Sequence, residues 1–196
     1  MTKPLRLPSC LTPQEYAALT SWTPTSPLDV RNLCMIRLMV NTGLRSKEVL
    51  GIRLEDLNFA DGKLLVAKAK GGRQRIVWIN EEDLSLIQGW LPHRRLLVED
   101  EDHDMLFVAR SGQPMSSRNL RKMVKSVAFG VGILQDVHPH MLRHTFATDL
   151  LRNTKNLRLT QKALGHAHIA TTQIYTHIVD DELEEAMKGL RIGRNP

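Results

Sequence analysis

The sequence predicts a mixed α+β fold that is mainly α-helical and has one small antiparallel sheet. Apolar residues recur at helical spacing over much of the chain, for example Leu33, Ile36 and Val40. Strand patterns lie in the middle, where residues 63–68 and 74–79 flank a Gly-rich tip and are expected to pair. At 196 residues the chain suits one domain and is long enough to bury a core.

Local signals place the individual elements. Residues 1–10 contain two prolines and basic side chains, and we expect them to form a flexible leader. Thr12 to Glu15 has the pattern of a capping box with proline at the first helical position. Further helices are expected over residues 28–42 before Gly43, from Ser46 as a cap, over 81–91 after Asn80, from Ser116 or Ser117 to about 128, from Pro139, and over 179–190; a short apolar strand is expected over 105–108.

Composition limits the class of protein. Hydrophobic residues make up 42% of the chain and charged residues 24%, as in ordinary globular proteins rather than disordered ones. The formal charge of +6 favours a polyanionic partner, although such an excess often marks only a solvated surface. Cys10 and Cys34 lack metal or redox spacing, and no long apolar run is present, so we expect a reduced cytoplasmic protein with no membrane span.

The chemistry is concentrated in residues 138–177. A helix that begins at Pro139 places His140 and Arg143 on one face, where they can share a ligand. The guanidinium of arginine matches phosphate oxygens, and imidazoles transfer protons near neutral pH. A tyrosine such as Tyr175 attacks phosphorus only with a base and positive charge nearby, which the His and Arg residues supply. A lone tyrosine is more often buried with its hydroxyl bonded, but the surrounding pattern favours phosphate chemistry.

Three blocks carry a family resemblance. HMLRHTFAT at residues 140–148, LGH at 164–166 and TTQIYTH at 171–177 resemble the signature of the tyrosine recombinase (phage integrase) family, in the manner of Xer recombinases. The resemblance implies the catalytic-domain fold of that family.

A further block agrees with it. Asn41 to Arg45 followed by Glu48 resembles the first arginine box of the family, TGLRxxE, although Ser46 and Lys47 replace the usual apolar residue and serine. The resemblance implies that Arg45 holds a phosphate oxygen and that Glu48 supports the site from behind. From the residues alone, an exposed cap with an i,i+3 Arg–Glu pair is the commoner alternative.

The resemblance implies a site-specific recombinase or integrase that cleaves and rejoins DNA through a 3′-phosphotyrosyl intermediate. Tyr175 would be the nucleophile, while Arg45 and Arg143 would bind the two non-bridging oxygens of the phosphate. His140 would act as the base near the phenol, and His166 would donate a hydrogen bond to the phosphate. The covalent link conserves the energy of the broken bond, so no metal or other cofactor is expected.

The basic hairpin tip has two interpretations. Composition alone favours a flexible tip that contacts DNA phosphates. The resemblance is sharper, because the family has a catalytic lysine at the first position of a KGxxxR turn, where Lys70 stands; it would protonate the 5′ leaving oxygen, with Lys68 as the nearest competitor. The residues expected to contact DNA are Lys68, Arg73 and Arg75 of the hairpin and Arg118, Arg121, Lys122 and Lys125 of one helix, for which a merely solvated face is the alternative.

The resemblance covers roughly residues 12–190, so we assign residues 11–196 to one catalytic domain. Family members usually carry a separate helical domain before it, which we expect to be absent because only 44 residues precede Arg45. The expected partners are double-stranded DNA and further copies of the chain, in a tetramer joined through helix 179–190. Packing of that helix on its own domain is the alternative.

Two other functions remain open. A type IB topoisomerase shares this chemistry but usually has lysine where His140 stands. A DNA-binding regulator would keep the fold and lose turnover, which six filled family positions argue against. Eight histidines invite a metal site, yet no HExxH or cysteine pair supports one.

Overall fold

The structure is a computed structural model that describes residues 9–66, 74–98 and 103–165. Within these ranges the chain is mainly helical with one three-stranded antiparallel sheet, which confirms the predicted fold class. The elements are α1 (Pro13–Thr20), α2 (Pro27–Thr42), α3 (Ser46–Leu50), a 3₁₀ turn (Leu54–Asp56), β1 (Leu57–Asn58), β2 (Lys63–Val66), β3 (Arg75–Trp78), α4 (Glu81–Leu97), α5 (Ser117–Gly130), α6 (Pro139–Thr154) and α7 (Leu157–Leu164). Residues 1–8 of the predicted leader 1–10 lie outside the described residues, and so does the predicted helix 179–190.

Helix α2 lies at the centre and packs against α4 and α6. Its start follows from Ser26, whose hydroxyl accepts a hydrogen bond from the Asp29 N–H at 3.2 Å, with Pro27 at the first helical position. It ends at Thr42, and Gly43 follows as the predicted cap, in a left-handed conformation with φ of 67°. A Cβ at Gly43 would lie 3.1 Å from Leu164 and even closer to the ring of Phe146, so glycine also lets α2, α6 and α7 approach one another.

The sheet has the strand order β1-β2-β3, and the register pairs Leu64 with Val77 and Val66 with Arg75. Side chains alternate across it, so Leu64 and Val77 are buried while Ile76 is exposed. This confirms the predicted pairing over the described residues. The tip between β2 and β3, residues 67–73, lies outside them.

Three local predictions were wrong. Ser46 is the first residue of α3 rather than its cap, because Arg45 has the extended capping backbone and its N–H donates to Glu48. Helix α4 continues past residue 91 to Leu97 although it contains Pro92. Contacts beyond Pro92 stabilise the last turns of α4, because the Arg94 guanidinium donates to the carbonyls of Met105 and His103.

The segment 105–108 was predicted as a strand, and the structure gives it only isolated bridges. Met105 pairs with Arg53 and Val108 with Pro114. The apolar run instead reflects burial, because Leu106 is fully buried. An apolar run of four residues indicates burial but does not by itself distinguish a strand from a buried loop.

Helices α5 and α6 begin as the sequence predicts. The Ser116 hydroxyl accepts from the Asn119 N–H at 3.1 Å, and α6 starts at Pro139 with His138 as its cap. The described part of the chain contains no helix long and apolar enough to cross a membrane.

Candidate active site

Three guanidinium groups surround one carboxylate at the start of α3; we call Arg45, Glu48, Arg75 and Arg143 the guanidinium cluster. Glu48 Oε1 accepts from Arg45 Nη1 at 3.1 Å and from Arg75 Nη1 at 2.8 Å. Its Oε2 accepts from Arg75 Nη2 at 2.9 Å and from the Arg45 backbone N–H at 2.7 Å. Arg143 Nη1 lies 3.8 Å from the same oxygen. The sequence predicts Arg45, Glu48 and Arg143 for the catalytic site and Arg75 for a DNA contact, and the structure brings all four together.

The carboxylate of Glu48 is ionised in this setting. Its side chain is 5% exposed, and burial by itself raises the pKa of such a group. Hydrogen bonds from Arg75 and from the Arg45 backbone, together with the charges of both guanidinium groups, outweigh burial and lower the pKa of Glu48 to about 2. The i,i+3 pair with Arg45 therefore exists, but it is not the exposed surface pair of the alternative interpretation. Three positive charges and one negative charge leave the cluster with a net charge of +2.

Arg143 joins three helices. It extends from α6, is 7% exposed, and donates from Nη1 to the carbonyl of Gly43 at the end of α2. Its Nη2 donates to the carbonyl of Leu164, the last residue of α7, at 2.7 Å. Carbonyls at helix ends lack partners within their own helix, so a rigid fork of donors suits them.

Arg45 is presented differently. Its side chain is 38% exposed, and Glu48 is the one side-chain partner that the described residues give it. The guanidinium therefore keeps N–H groups directed to solvent, where an anion can reach them.

The two histidines of α6 differ from each other. His140 is exposed on the first turn, and its ring centroid lies 6.4 Å from that of His138. Arg143, three residues further along α6, is buried, so the two side chains predicted to share a face differ in their exposure. His144 is half-buried, and burial, then the nearby His140 and Arg143, lower its pKa, which keeps the imidazole neutral at pH 7.

Arg75 is the cluster residue whose position the sequence analysis missed. We expected a DNA contact on the hairpin, whereas the structure buries its side chain to 12% exposure and directs both terminal nitrogens to Glu48. A Cβ at Gly165 would lie 3.1 Å from Arg75 Cδ and Nη1, so Arg75 also packs against the end of α7. Strand alternation was the available signal: Arg75 shares the inward face of β3 with Val77.

The remaining site residues are partly outside the structure. Those outside the described residues are Lys68, Lys70, Arg73, His166 and Tyr175. On α5, the predicted DNA-contact residues are all exposed, opposite the buried Leu120 and Val124; they are Arg118, Arg121, Lys122 and Lys125. Lys125 forms an ion pair with Asp136 at 2.7 Å, so part of this basic face is neutralised within the chain. No group of three or more possible metal ligands occurs among the described residues.

In a helical fold with a small sheet, three arginines gathered around one buried carboxylate form a positively charged site that can bind an anion. Residues 9–182 match the phage integrase family, and the chain belongs to that family. It is 38% identical over 182 residues to the tyrosine recombinase XerD of Halalkalibacterium halodurans, which covers 92% of this chain and 60% of that protein. It is 33% identical over 186 residues to the tyrosine recombinase XerC of Alcanivorax borkumensis, covering 94% of this chain and 60% of that one.

Solved structures agree with this assignment. The XerA recombinase superposes with a TM-score of 0.80 at 33% identity, over 98% of this chain and 68% of XerA. The XerH recombinase bound to a palindromic difH substrate, a post-cleavage complex, gives a TM-score of 0.78 at 33% identity, over 93% of this chain and 53% of XerH. The chain spans about three fifths of the length of the curated relatives it matches.

Proposed function

We propose that this chain is the catalytic domain of a site-specific tyrosine recombinase, which cleaves and rejoins double-stranded DNA. The observation that carries the proposal is the guanidinium cluster: in a member of the phage integrase family, Arg45 and Arg143 lie beside one buried carboxylate with a net positive charge. Fixed positive charge of this kind stabilises the charge that develops on a phosphate during attack.

The proposed reaction has two transfers. The Tyr175 oxygen attacks the scissile phosphorus while His140 accepts the phenolic proton, and the bond to the 5′ oxygen breaks as Lys70 donates a proton to it. The products are a 3′-phosphotyrosyl link and a 5′-hydroxyl. A 5′-hydroxyl of a partner strand then attacks the link, releases Tyr175 and restores a phosphodiester. Arg45 and Arg143 would bind the non-bridging oxygens in both steps, with a hydrogen bond from His166.

The partner and assembly belong to the same proposal. XerH is bound to its difH substrate in the solved complex, and the basic face of α5 offers a surface for a DNA backbone. We assign Arg118, Arg121, Lys122 and Lys125 to that contact, together with Lys68 and Arg73 of the hairpin. Helix 179–190 would join copies in a tetramer on DNA, in the cytoplasm where the chromosome lies.

The test uses duplexes that carry candidate crossover sites with a nick beside the scissile phosphate, so that the released fragment is lost and the covalent adduct accumulates. The label is placed at the 5′ end of the cut strand, because a 3′-phosphotyrosyl link keeps that fragment on the protein. Reactions contain EDTA and low salt, since phosphate contacts weaken as salt rises. The chain has two tyrosines, and Tyr16, whose hydroxyl donates to Asn41 Oδ1 at 2.7 Å, supplies the matched control.

We expect wild type and Tyr16→Phe to form the adduct and Tyr175→Phe to bind the same DNA without forming it. An adduct that still forms in Tyr175→Phe would show that Tyr175 is not the nucleophile. DNA binding with no adduct from wild type on any site would refute the recombinase activity and leave a DNA-binding regulator. Relaxation of supercoiled plasmid without strand exchange would point to a topoisomerase.

A further inference from the structure

Arg75 is the principal partner of Glu48. It gives one terminal nitrogen to each carboxylate oxygen, at 2.8 and 2.9 Å, which is the bidentate geometry that makes Arg–carboxylate pairs strong. Arg45 makes one longer side-chain bond of 3.1 Å, and Arg143 stays 3.8 Å away. The carboxylate is thus satisfied chiefly by the arginine for which the proposed reaction has no catalytic role.

The pairing of Glu48 with Arg75 matters because the Glu48 carboxylate and a bound phosphate would compete for the same guanidinium N–H groups. A buried carboxylate without Arg75 would draw the guanidinium groups of Arg45 and Arg143 onto its own oxygens, since an uncompensated buried charge is costly. N–H groups bonded to Glu48 are then not available to a substrate oxygen.

We infer that Arg75 is a positioning residue for the phosphate clamp: it occupies Glu48 and so leaves donors of the half-exposed Arg45 for a DNA phosphate. The inference rests on the proposed function for the identity of the anion. It replaces the DNA contact that the sequence suggested for Arg75, whose side chain is too buried for that role.

The surroundings of Arg75 hold it in place. Its strand, β3, pairs with β2 at Val66, and its side chain lies against Gly165, where a Cβ would come within 3.1 Å of Nη1. Its Nε is buried and has no hydrogen-bond partner among the described residues. The guanidinium therefore makes its hydrogen bonds to Glu48, and packing prevents it from turning toward an exposed DNA strand.

The experiment compares Arg75→Gln and Arg75→Lys with Arg53→Gln. Arg53 is a matched control because it also pairs with a carboxylate, Asp104, at 2.9 Å, but its side chain is 50% exposed and belongs to a different ion pair. Each variant is first checked for cooperative unfolding. Adduct formation is then measured in single turnover on the nicked duplex and on the same duplex with a methylphosphonate at the scissile position.

The methylphosphonate separates a clamp effect from a structural one. It lacks one charged non-bridging oxygen, so its attack requires less positive charge. We expect Arg75→Gln to slow cleavage of the normal phosphodiester by about a hundredfold, the size of losing one preorganised donor. On the methylphosphonate the loss relative to wild type should fall below about tenfold on the same reasoning. Arg75→Lys should lie between, and Arg53→Gln should match wild type on both substrates.

Three results would overturn the inference. Equal losses on the two substrates would mean that Arg75 only maintains the fold, and no loss would mean that Glu48 does not compete for the clamp. The third result would come from an additional substrate, a duplex with a 5′-bridging phosphorothiolate, whose thiolate leaves without a proton. If it alone restores the rate, Arg75 acts on protonation of the leaving group and not on the clamp.

A second readout needs no cleavage. An oxyanion that binds the clamp stabilises the folded chain by mass action, so low sulfate should raise the Tm of wild type above that in chloride at equal ionic strength. Arg75→Gln should lose this rise and Arg53→Gln should keep it. If wild type forms no adduct, the proposed function fails while this measurement still tests the clamp. An equal rise in all three proteins, or no rise in wild type, would overturn the inference about Arg75.

Discussion

Replacing Arg143 by alanine should weaken folding as well as any activity on DNA. The guanidinium donates to the carbonyls of Gly43 and Leu164, so it joins the ends of α2 and α7 to α6. Removal leaves both carbonyls without that donor and leaves a void at a site that is 7% exposed. Arg45, the other arginine of the proposed clamp, has no such bonds among the described residues and is 38% exposed.

The expected losses of folding stability therefore differ between Arg143→Ala and Arg45→Ala. A hydrogen bond to a charged group contributes about 1.5 to 3 kcal/mol, so loss of two from Arg143 should cost about 3 to 5 kcal/mol once water partly replaces them. That is a large part of the roughly 5 to 15 kcal/mol by which domains are stable. Arg45 is 38% exposed, and Arg75 still bonds both oxygens of Glu48 after its removal, so loss of its single 3.1 Å side-chain bond should cost about 1 kcal/mol.

Urea unfolding measures this difference. Tryptophan fluorescence suits the experiment because Trp90 is fully buried, with its indole N–H bonded to the Leu106 carbonyl at 2.9 Å, and will report loss of the core. We expect Arg143→Ala to lower the midpoint with an unchanged slope, Arg45→Ala to stay close to wild type, and Arg143→Lys to lie between. The reasoning is refuted if Arg143→Ala unfolds within about 1 kcal/mol of wild type, the size of a single ordinary hydrogen bond.

Three further predictions concern stability and reactivity. Gly43→Ala should destabilise the chain by more than about 1 kcal/mol, because φ is positive and neighbouring side chains fill the space. Gly89→Ala, on the exposed side of α4, should stabilise it by about 0.5 to 1 kcal/mol. Thermal unfolding measures both effects, and equal effects would contradict the prediction. The folded pKa of Glu48, about 2, lies below its ordinary 4.5, so its contribution is present above pH 4.5 and is lost as pH falls to 2. Wild type should therefore lose about 3 kcal/mol more than Glu48→Gln over that window in urea titrations, and parallel pH profiles would refute this. Burial raises the pKa of the Cys34 thiol, so a thiol reagent should modify the half-buried Cys10 in the native chain and Cys34 only after denaturant is added; equal rates by mass spectrometry would disprove it.

The helix boundaries that depend on neighbouring residues could be predicted from the sequence. The capping box at the start of α1 forms as expected, with the Thr12 N–H donating to Glu15 Oε2 at 2.8 Å. Gly43 ends α2 because left-handed backbone favours glycine there. Each of these features is decided within about four residues, which is the range over which local sequence rules act.

Features that depend on distant contacts could not be predicted in this way. Helix α4 passes Pro92 because Arg94 bonds to carbonyls of the segment after it, and no local rule contains those partners. Arg75 lies 27 residues from Glu48 in sequence, so charge and position in a basic hairpin suggested a surface residue. The inward face of β3 was readable, but a buried arginine requires a carboxylate partner that only the fold identifies.

The charge of the guanidinium cluster also gives a reason for a carboxylate in a site that we propose to bind phosphate. Three guanidinium groups without a counter-ion would repel one another and would favour unfolding, most of all where water is excluded. Glu48 offsets one charge and leaves +2, which in the proposed reaction matches the two negative charges on a phosphorus that phenolate oxygen attacks. A fully neutral cluster would be more stable alone but would bind that state poorly, whereas a cluster of +3 would be hard to fold. A net charge of +2 lies between these two cases. We infer that it serves the reaction because Arg75 bonds Glu48 at shorter distances than Arg45 and Arg143, the two arginines proposed to bind the phosphate.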